Sequence, residues 1–355
     1  MTDDRKAGRA IRQAEPPASK VGACRGWQAE SGSLVPVGLG CPDSASSSTP
    51  LYPSRNLTVC RVANRPRKWL HGLRLALISL FVGAIHLAAA APAEAQGPSL
   101  FYESDGEGTP VVLVADWAHD TGSWFRVLPL LRVDGRRLVR YDLRGQGRSE
   151  VPADGDYSLA AHRADLLRLL DGLEIDRAHL AGIGLGGSVV LGFALEHPQR
   201  VLSVTAIEPR LEWTDSERDS WSRLLEAWER IGRPTLGEYT SVLVERWLGT
   251  QFAVGNGWVV PWYDLMLRRQ RAPALIASMR AWLAESAPVP AAPSRVPALV
   301  VVGEGGMTAF EGEWLESAFP GAWRERLEDS RLEGPIDQPE ELAARVAEFW
   351  ARAVP

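Results

Sequence analysis

Residues able to carry chemistry are unevenly spread along this chain of 355 residues. The three cysteines, Cys24, Cys41 and Cys60, all fall within the first 60 positions. Everything beyond them therefore lacks a thiol nucleophile, a disulfide framework and a cysteine metal site. The histidines are His71, His86, His119, His162, His179 and His197, and none follows position 197. A histidine base near the C-terminus is thereby excluded. Two short stretches hold the remaining possibilities. Ala115-Asp116-Trp117 follows an apolar run and precedes His119, which puts a carboxylate close to an imidazole, the pairing used in acid–base chemistry. Gly182-Ile183-Gly184-Leu185-Gly186-Gly187 is a tight glycine turn, with Ser188 just after it and Glu208 beyond the next apolar run. The candidate ligand-binding residues are accordingly Ala115, Asp116, Trp117, Ile183, Gly184 and Leu185. No cofactor and no metal is expected from these patterns.

These residues need a scaffold, and the hydrophobic pattern supplies one from Phe101 onward. Val111–Val114 is a continuous apolar run of the kind buried parallel strands show. Further strands are expected at 137–141, 178–181, 201–207, 297–303 and, weakly, 324–327. Helices are expected at 124–131, 158–173 with Ser158 as its cap, 188–196, 313–319 and 339–354. Strands alternating with helices imply an α/β class with a doubly wound, mostly parallel sheet. Residues 211–292 interrupt the alternation with a helical pattern containing Trp213, Trp221, Trp228, Trp247, Trp258, Trp262 and Trp282. The glycine turn does not fit a dinucleotide site, because it follows the third strand of this pattern and lacks an acid at a strand end about 20 residues on.

Three stretches in this order resemble the α/β-hydrolase superfamily: YDLRGQGRS at 141–149, the glycine turn at 182–187 with the following ALEHPQRV, and VPALVVVGE at 296–304. The resemblance covers roughly residues 100–353 and implies a helical cap, here 211–292, inserted after the sixth strand. It also implies where a triad would sit, and each position has changed. The nucleophile of the G-x-Nuc-x-G elbow falls on Gly184, which keeps the strained turn but has no side chain. The acid after the seventh strand falls on Gly303-Glu304-Gly305-Gly306, with Glu208 as an alternative acid read more simply as a loop carboxylate. The histidine falls on Leu332. The His-Gly pair that shapes the oxyanion hole reads Ala115-Asp116, and an aspartate there is expected to repel an oxyanion. His119 is expected on the loop surface, and the tryptophans mainly as packing.

Outside this body the chain differs in character. Residues 1–64 lack periodicity and are expected to be a disordered or mis-assigned extension. Residues 65–95 combine Arg65, Arg67 and Lys68, an apolar run from Leu75 to Ala91 and Ala93-Glu94-Ala95, which is the pattern of a signal peptide or, if uncleaved, a membrane anchor. The body, 96–355, is then exported, periplasmic or secreted. Overall charge is −5, but residues 100–355 carry 27 basic and 38 acidic side chains, a poor surface for nucleic acid. Four altered triad and oxyanion positions lead to the expectation of an exported, non-catalytic protein that binds a small apolar ligand or a protein partner. The alternative expectation is a hydrolase of an ester, lactone or epoxide bond, working through non-standard residues near Asp116, His119 and Glu208.

Overall fold

Alternation of side chains along each strand divides the core into two layers. Val112, Val114, Val139, Leu180, Val204 and Val300 face one side of a central sheet, while Val111, Leu113, Leu138, Ala181, Leu299 and Val301 face the other. Both faces are covered, which is why the central strands read as unbroken apolar runs. The computed structural model describes residues 59–61, 97–132, 135–287, 290–303 and 309–353. The expected signal segment at 65–95, nearly all of the expected extension at 1–64, and the Glu304-Gly305-Gly306 stretch lie outside the described residues.

Eight strands form one sheet: β1 Val59–Arg61, β2 Phe101–Gly106, β3 Thr109–Val114, β4 Arg136–Tyr141, β5 Ala178–Ile183, β6 Val201–Ile207, β7 Ala298–Val302 and β8 Trp323–Arg326. Their order is β1-β2-β4-β3-β5-β6-β7-β8. The pairs β1–β2 and β2–β4 are antiparallel, and all others are parallel. This is the α/β-hydrolase fold expected from the sequence. Two strands escaped the sequence reading. β1 lies within the stretch read as an extension, and β2 carries polar residues (Glu103, Ser104, Asp105) that hide its period. The expected helix at 124–131 is instead two single turns, Thr121–Trp124 and Leu128–Leu131.

Helices Leu159–Gly172 and Leu185–Glu196 pack together on the first layer, and Pro339–Ala353 packs on the second through Leu342, Val346 and Phe349. Ser158 caps the first of these by accepting from Ala161 N–H at 3.1 Å. The insertion after β6 consists of helices Asp215–Ile231, Thr240–Leu248, Thr250–Gly255, Val259–Arg268 and Ala272–Ala284. It is tied to the body by polar bonds: Trp117 Nε1 donates to Leu275 O at 2.9 Å and Gly147 N–H to Gln270 Oε1 at 2.7 Å. Among the described residues no helix is long and apolar enough to cross a membrane.

The loop after β4 is held by two buried carboxylates. Asp142 accepts from Thr121 N–H at 2.7 Å and from Arg148 N–H at 2.8 Å, which ties this loop to the one after β3. Arg144 makes a two-pronged contact with Asp165, 2.7 Å from Nε and 2.6 Å from Nη2, with both side chains buried. Breaking a buried pair outright costs about 3–5 kcal/mol, but Asp165 also meets the partly exposed Arg168 at 2.5 Å, which would retain part of the pairing. Arg144→Ala should therefore lower the unfolding free energy in urea by an amount up to about 3–5 kcal/mol. A loss under about 0.5 kcal/mol, the range of ordinary surface changes, would contradict the structural role assigned to this pair.

Candidate active site

The turn between β5 and the following helix keeps the shape of a nucleophile elbow. Gly184 has φ 49° and ψ −112°, a conformation that side-chain-bearing residues adopt only under strain. The turn is also close against its neighbours: a Cβ on Gly186 would lie 2.5 Å from Val114 O. A Cβ on Gly184 would lie 2.0 Å from Asp116 Oδ1. The space that an elbow side chain would enter is therefore filled from β3 by the Asp116 carboxylate.

Two backbone amides hold that carboxylate. Asp116 Oδ1 accepts from Trp117 N–H at 2.6 Å and from Leu185 N–H at 2.7 Å. One amide follows the elbow and the other follows β3, the two places from which an oxyanion hole is built. An oxyanion hole binds negative charge, and here it binds the protein's own. The sequence reading has Asp116 repelling an oxyanion, and the geometry adds the means: Asp116 itself occupies the hole. Burial pushes the Asp116 carboxyl up to about 6, against the lowering pull of His119 and the two amides.

His119, expected on the loop surface, is fully buried. The cause is local. Ala118 adopts φ 62°, and His119 N–H bonds back to Asp116 O at 3.3 Å, so the turn folds the imidazole inward. Its Nδ1 lies 2.8 Å from Trp117 O, and its Nε2 lies 3.0 Å from Glu333 Oε1 and 3.5 Å from Tyr263 Oη. Burial opposes charge on His119, but the charges of Glu333 and Asp116 outweigh it and carry its pKa to about 9. The imidazole is thus a cation at neutral pH, set between two buried carboxylates. Burial and the same carboxylates hold the Tyr263 hydroxyl well above its ordinary range, so it stays neutral.

Asp116, His119 and Glu333 each offer one ligand atom, all within 4.8 Å of one another, a set with the composition of a metal site. The proton on His119 supplies one positive charge between the two carboxylates, in ion-pair contact with Glu333 and acting on Asp116 through its field. Glu333 was missed in the sequence. It stands next to Leu332, the position read as the lost histidine, so the segment was located correctly and the wrong residue type was sought.

A cavity of about 250 Å³ opens onto this triad. Asp116, Trp117, Gly184 and Glu208 line it from the body. Trp213, Trp221, Trp247 and Trp282 line it from the insertion, with Arg210 and Arg246 between them. Of the six candidate ligand-binding residues, Asp116, Trp117 and Gly184 lie on the cavity, while Ala115, Ile183 and Leu185 are buried beside it, Leu185 contributing its amide. Glu208, read as a loop carboxylate, is also on the cavity. It has φ 47° and accepts a very short hydrogen bond from Gly303 N–H. Burial pushes its carboxyl up to about 8 despite that bond, so it carries a proton at neutral pH. Ser188, near the elbow in sequence, donates to Arg210 O at 2.6 Å and takes no part in the site. The remaining tryptophans of the insertion do pack: Trp228 stacks on Trp117 at 6.2 Å, and Trp258 and Trp262 enclose Phe125.

Comparison with known proteins agrees with the fold. A family model described as alpha/beta hydrolase fold matches residues 109–270. A 3-oxoadipate enol-lactonase of Acinetobacter baylyi is 27% identical over 252 residues, covering 70% of this chain and 91% of that protein. A Variovorax paradoxus protein provisionally assigned as a carbamate hydrolase is 36% identical over 110 residues, 30% of this chain, which spans 41% of that relative's length. Among solved structures, the enol-lactonase from Burkholderia xenovorans has a TM-score of 0.64 at 24% identity, covering 72% of this chain and 97% of that one. A hydrolase from Pseudomonas aeruginosa has a TM-score of 0.62 at 26% identity, with 72% and 96% covered. The relatives carry the names of hydrolases. That overturns the expectation of a non-catalytic binding protein, which rested on the altered triad and oxyanion positions.

The His119 cation ties stability to pH. Its folded pKa of about 9 lies above the ordinary 6.5, so its contribution is complete below pH 6.5 and is lost as pH rises through about 9. Asp116, raised to about 6, works in the same direction at lower pH. The wild type should lose melting temperature between pH 6.5 and 9 more steeply than His119→Gln, measured in parallel. Equal slopes would remove His119 from the charge balance described here.

Proposed function

Because this chain belongs to the α/β-hydrolase superfamily, we propose that it is a hydrolase of a small ester, lactone or epoxide in which the Asp116 carboxylate replaces the elbow nucleophile. The observation that carries this reading is the position of Asp116. Its carboxylate fills the place of the missing Gly184 side chain, with Oδ1 on the two oxyanion-hole amides. A carboxylate held by one oxygen keeps the other as a nucleophile.

In the first step Asp116 Oδ2 forms a bond to an electrophilic carbon of the substrate, and a carbon–oxygen bond of the substrate breaks. The departing oxygen takes the proton of Glu208, which burial keeps protonated up to about 8. In the second step water attacks the carbonyl carbon of the Asp116 ester, and Glu208 accepts the water proton. Oδ1 becomes the oxyanion, already seated on Trp117 N–H and Leu185 N–H. Collapse releases the second product oxygen with the Glu208 proton. The new Asp116 acid, whose pKa is about 6, returns its proton to Glu208, whose pKa is about 8. The cycle consumes one water. His119 does not reach the substrate in this scheme. It is a positioning residue whose positive charge keeps the buried Asp116 ionised, and Glu333 holds that charge in place.

Among the three bond types, the filled amide pair favours attack at an alkyl carbon. Attack at an acyl carbon needs free amides for the substrate's own oxyanion. An epoxide needs only the nucleophile and the acid. The match to an enol-lactonase over 91% of that protein's length keeps lactones among the substrates to be assayed.

Two ionisations set the pH profile. Activity requires ionised Asp116, so it rises as pH passes about 6, and protonated Glu208, so it falls as pH passes about 8. A bell-shaped kcat/KM with an optimum near pH 7 is expected on small epoxides, lactones and esters. Asp116→Asn should reduce turnover by about 10³-fold or more, and Glu208→Gln should remove the alkaline limb with a loss of about 10²–10⁴-fold. Turnover that survives Asp116→Asn would contradict the assignment.

A further inference from the structure

The charged groups around the cavity are not all paired by direct contact. Three carboxyl groups and two guanidinium groups line it: Asp116, Glu208, Glu217, Arg210 and Arg246. Asp116 shares the His119 cation behind it with Glu333. Glu208 is protonated at neutral pH. Arg210 lies 3.5 Å from Glu217 and 3.9 Å from Glu311, and is shared between them. Arg246 differs in its contacts. It is half-buried, its guanidinium lies over the Trp221 ring at 4.1 Å, and no carboxylate stands within ion-pairing distance of it among the described residues. Burial and the nearby Arg210 both disfavour its charge, with Glu217 opposing them. A cation held in an aromatic wall without a partner is an anion site in waiting.

Two further observations narrow the anion. Trp213 and Trp282, both on the cavity, have buried indole N–H groups without an acceptor among the described residues, so the same wall is short of acceptors. The carboxylates of Asp116 and Glu217 on the same cavity would repel a second negative charge. The volume of about 250 Å³ admits only a small molecule.

We propose that the cavity takes a small monoanion, a substrate bearing its own carboxylate, which pairs with Arg246 against Trp221 while its electrophilic carbon faces Asp116. The orientation of the scissile bond rests on the hydrolase reading above, whereas the binding of the carboxylate does not. The arginine fixes one end of the substrate and Asp116 attacks the other, so the distance between them sets which acids are hydrolysed. The guanidinium lies over an indole face on the cavity wall, and its planar fork matches a carboxylate.

Binding and turnover are measured separately, so that the two readings can fail separately. Five tryptophans line the cavity, and intrinsic fluorescence reports occupancy. Butyrate should quench the wild-type protein saturably, and the isosteric neutral butyramide should bind at least about 10-fold more weakly. Arg246→Gln should lose that preference, while Arg246→Lys, which keeps the charge but not the fork, should retain part of it. Thermal melting checks that both variants are folded. In turnover, glycidate should exceed glycidamide in kcat/KM by a similar factor, mostly through KM, and Arg246→Gln should bring the two together. Equal binding of butyrate and butyramide, no binding of butyrate, or wild-type butyrate affinity in folded Arg246→Gln would overturn the carboxylate site. Arg246-dependent butyrate binding without turnover of any epoxide, lactone or ester would keep the carboxylate site and sink the hydrolase reading. Turnover of glycidamide and glycidate at equal efficiency would do the reverse.

Discussion

A carboxylate seated on two backbone amides is the contact around which this site is arranged. Asp116 Oδ1 takes the Trp117 and Leu185 N–H groups, and the surrounding structure follows from burying that charge. A carboxylate removed from water needs either a proton or a nearby cation. His119 is that cation, folded under Asp116 by the left-handed turn at Ala118. The imidazolium in turn needs its own counter-charge, which Glu333 brings from the segment before the last helix. Gly184 belongs to the same constraint. Any side chain at the elbow would collide with Asp116, so glycine there is what allows the carboxylate in. What reads in sequence as four separate losses is, in space, one exchange: the anionic group moved from the elbow to the end of β3.

The insertion completes the site from the other side. It brings four indoles and two arginines to a cavity whose opposite wall is acidic. Its attachment through Trp117 Nε1 to Leu275 O makes the residue that supplies one amide to Asp116 also an anchor of the cap. Strain is present at the same place. Of the four non-glycine residues with positive φ among the described residues, Ala118 and Glu208 flank the cavity. Such conformations cost roughly 1–3 kcal/mol each and persist where packing enforces them. Here they aim an imidazole and a carboxyl group inward.

Much of the fold was legible in the residues because buried parallel strands announce themselves as apolar runs. Val201–Ile207 was delimited correctly, and Ala178, Ser158 and Pro339 marked real boundaries. β2 was not legible, because an antiparallel strand near the sheet edge carries polar residues on one side. The elbow was legible from glycine spacing, and Asp116 was singled out. Its role was not, because the sequence places Asp116 and Leu185 69 residues apart and does not show that one side chain reaches the other's amide. His119 and Glu333 were illegible for the same reason: they are 214 positions apart, and a search for a late histidine passed over a late glutamate. Arg246 stands in a helix whose face toward the cavity depends on how the insertion packs, which hydrophobic period alone does not specify.

The claim on which this account depends is that Asp116 bonds covalently to the substrate and is freed by water. The direct measurement is isotope incorporation. The enzyme is cycled through many turnovers of a hydrolysed substrate in water enriched in oxygen-18, and the peptide carrying Asp116 is then weighed and fragmented. The account predicts heavy oxygen in the Asp116 carboxylate, because water attacks the carbonyl carbon of the enzyme ester and leaves its oxygen there. Turnover with heavy oxygen in the product alone, and none in Asp116, would contradict it.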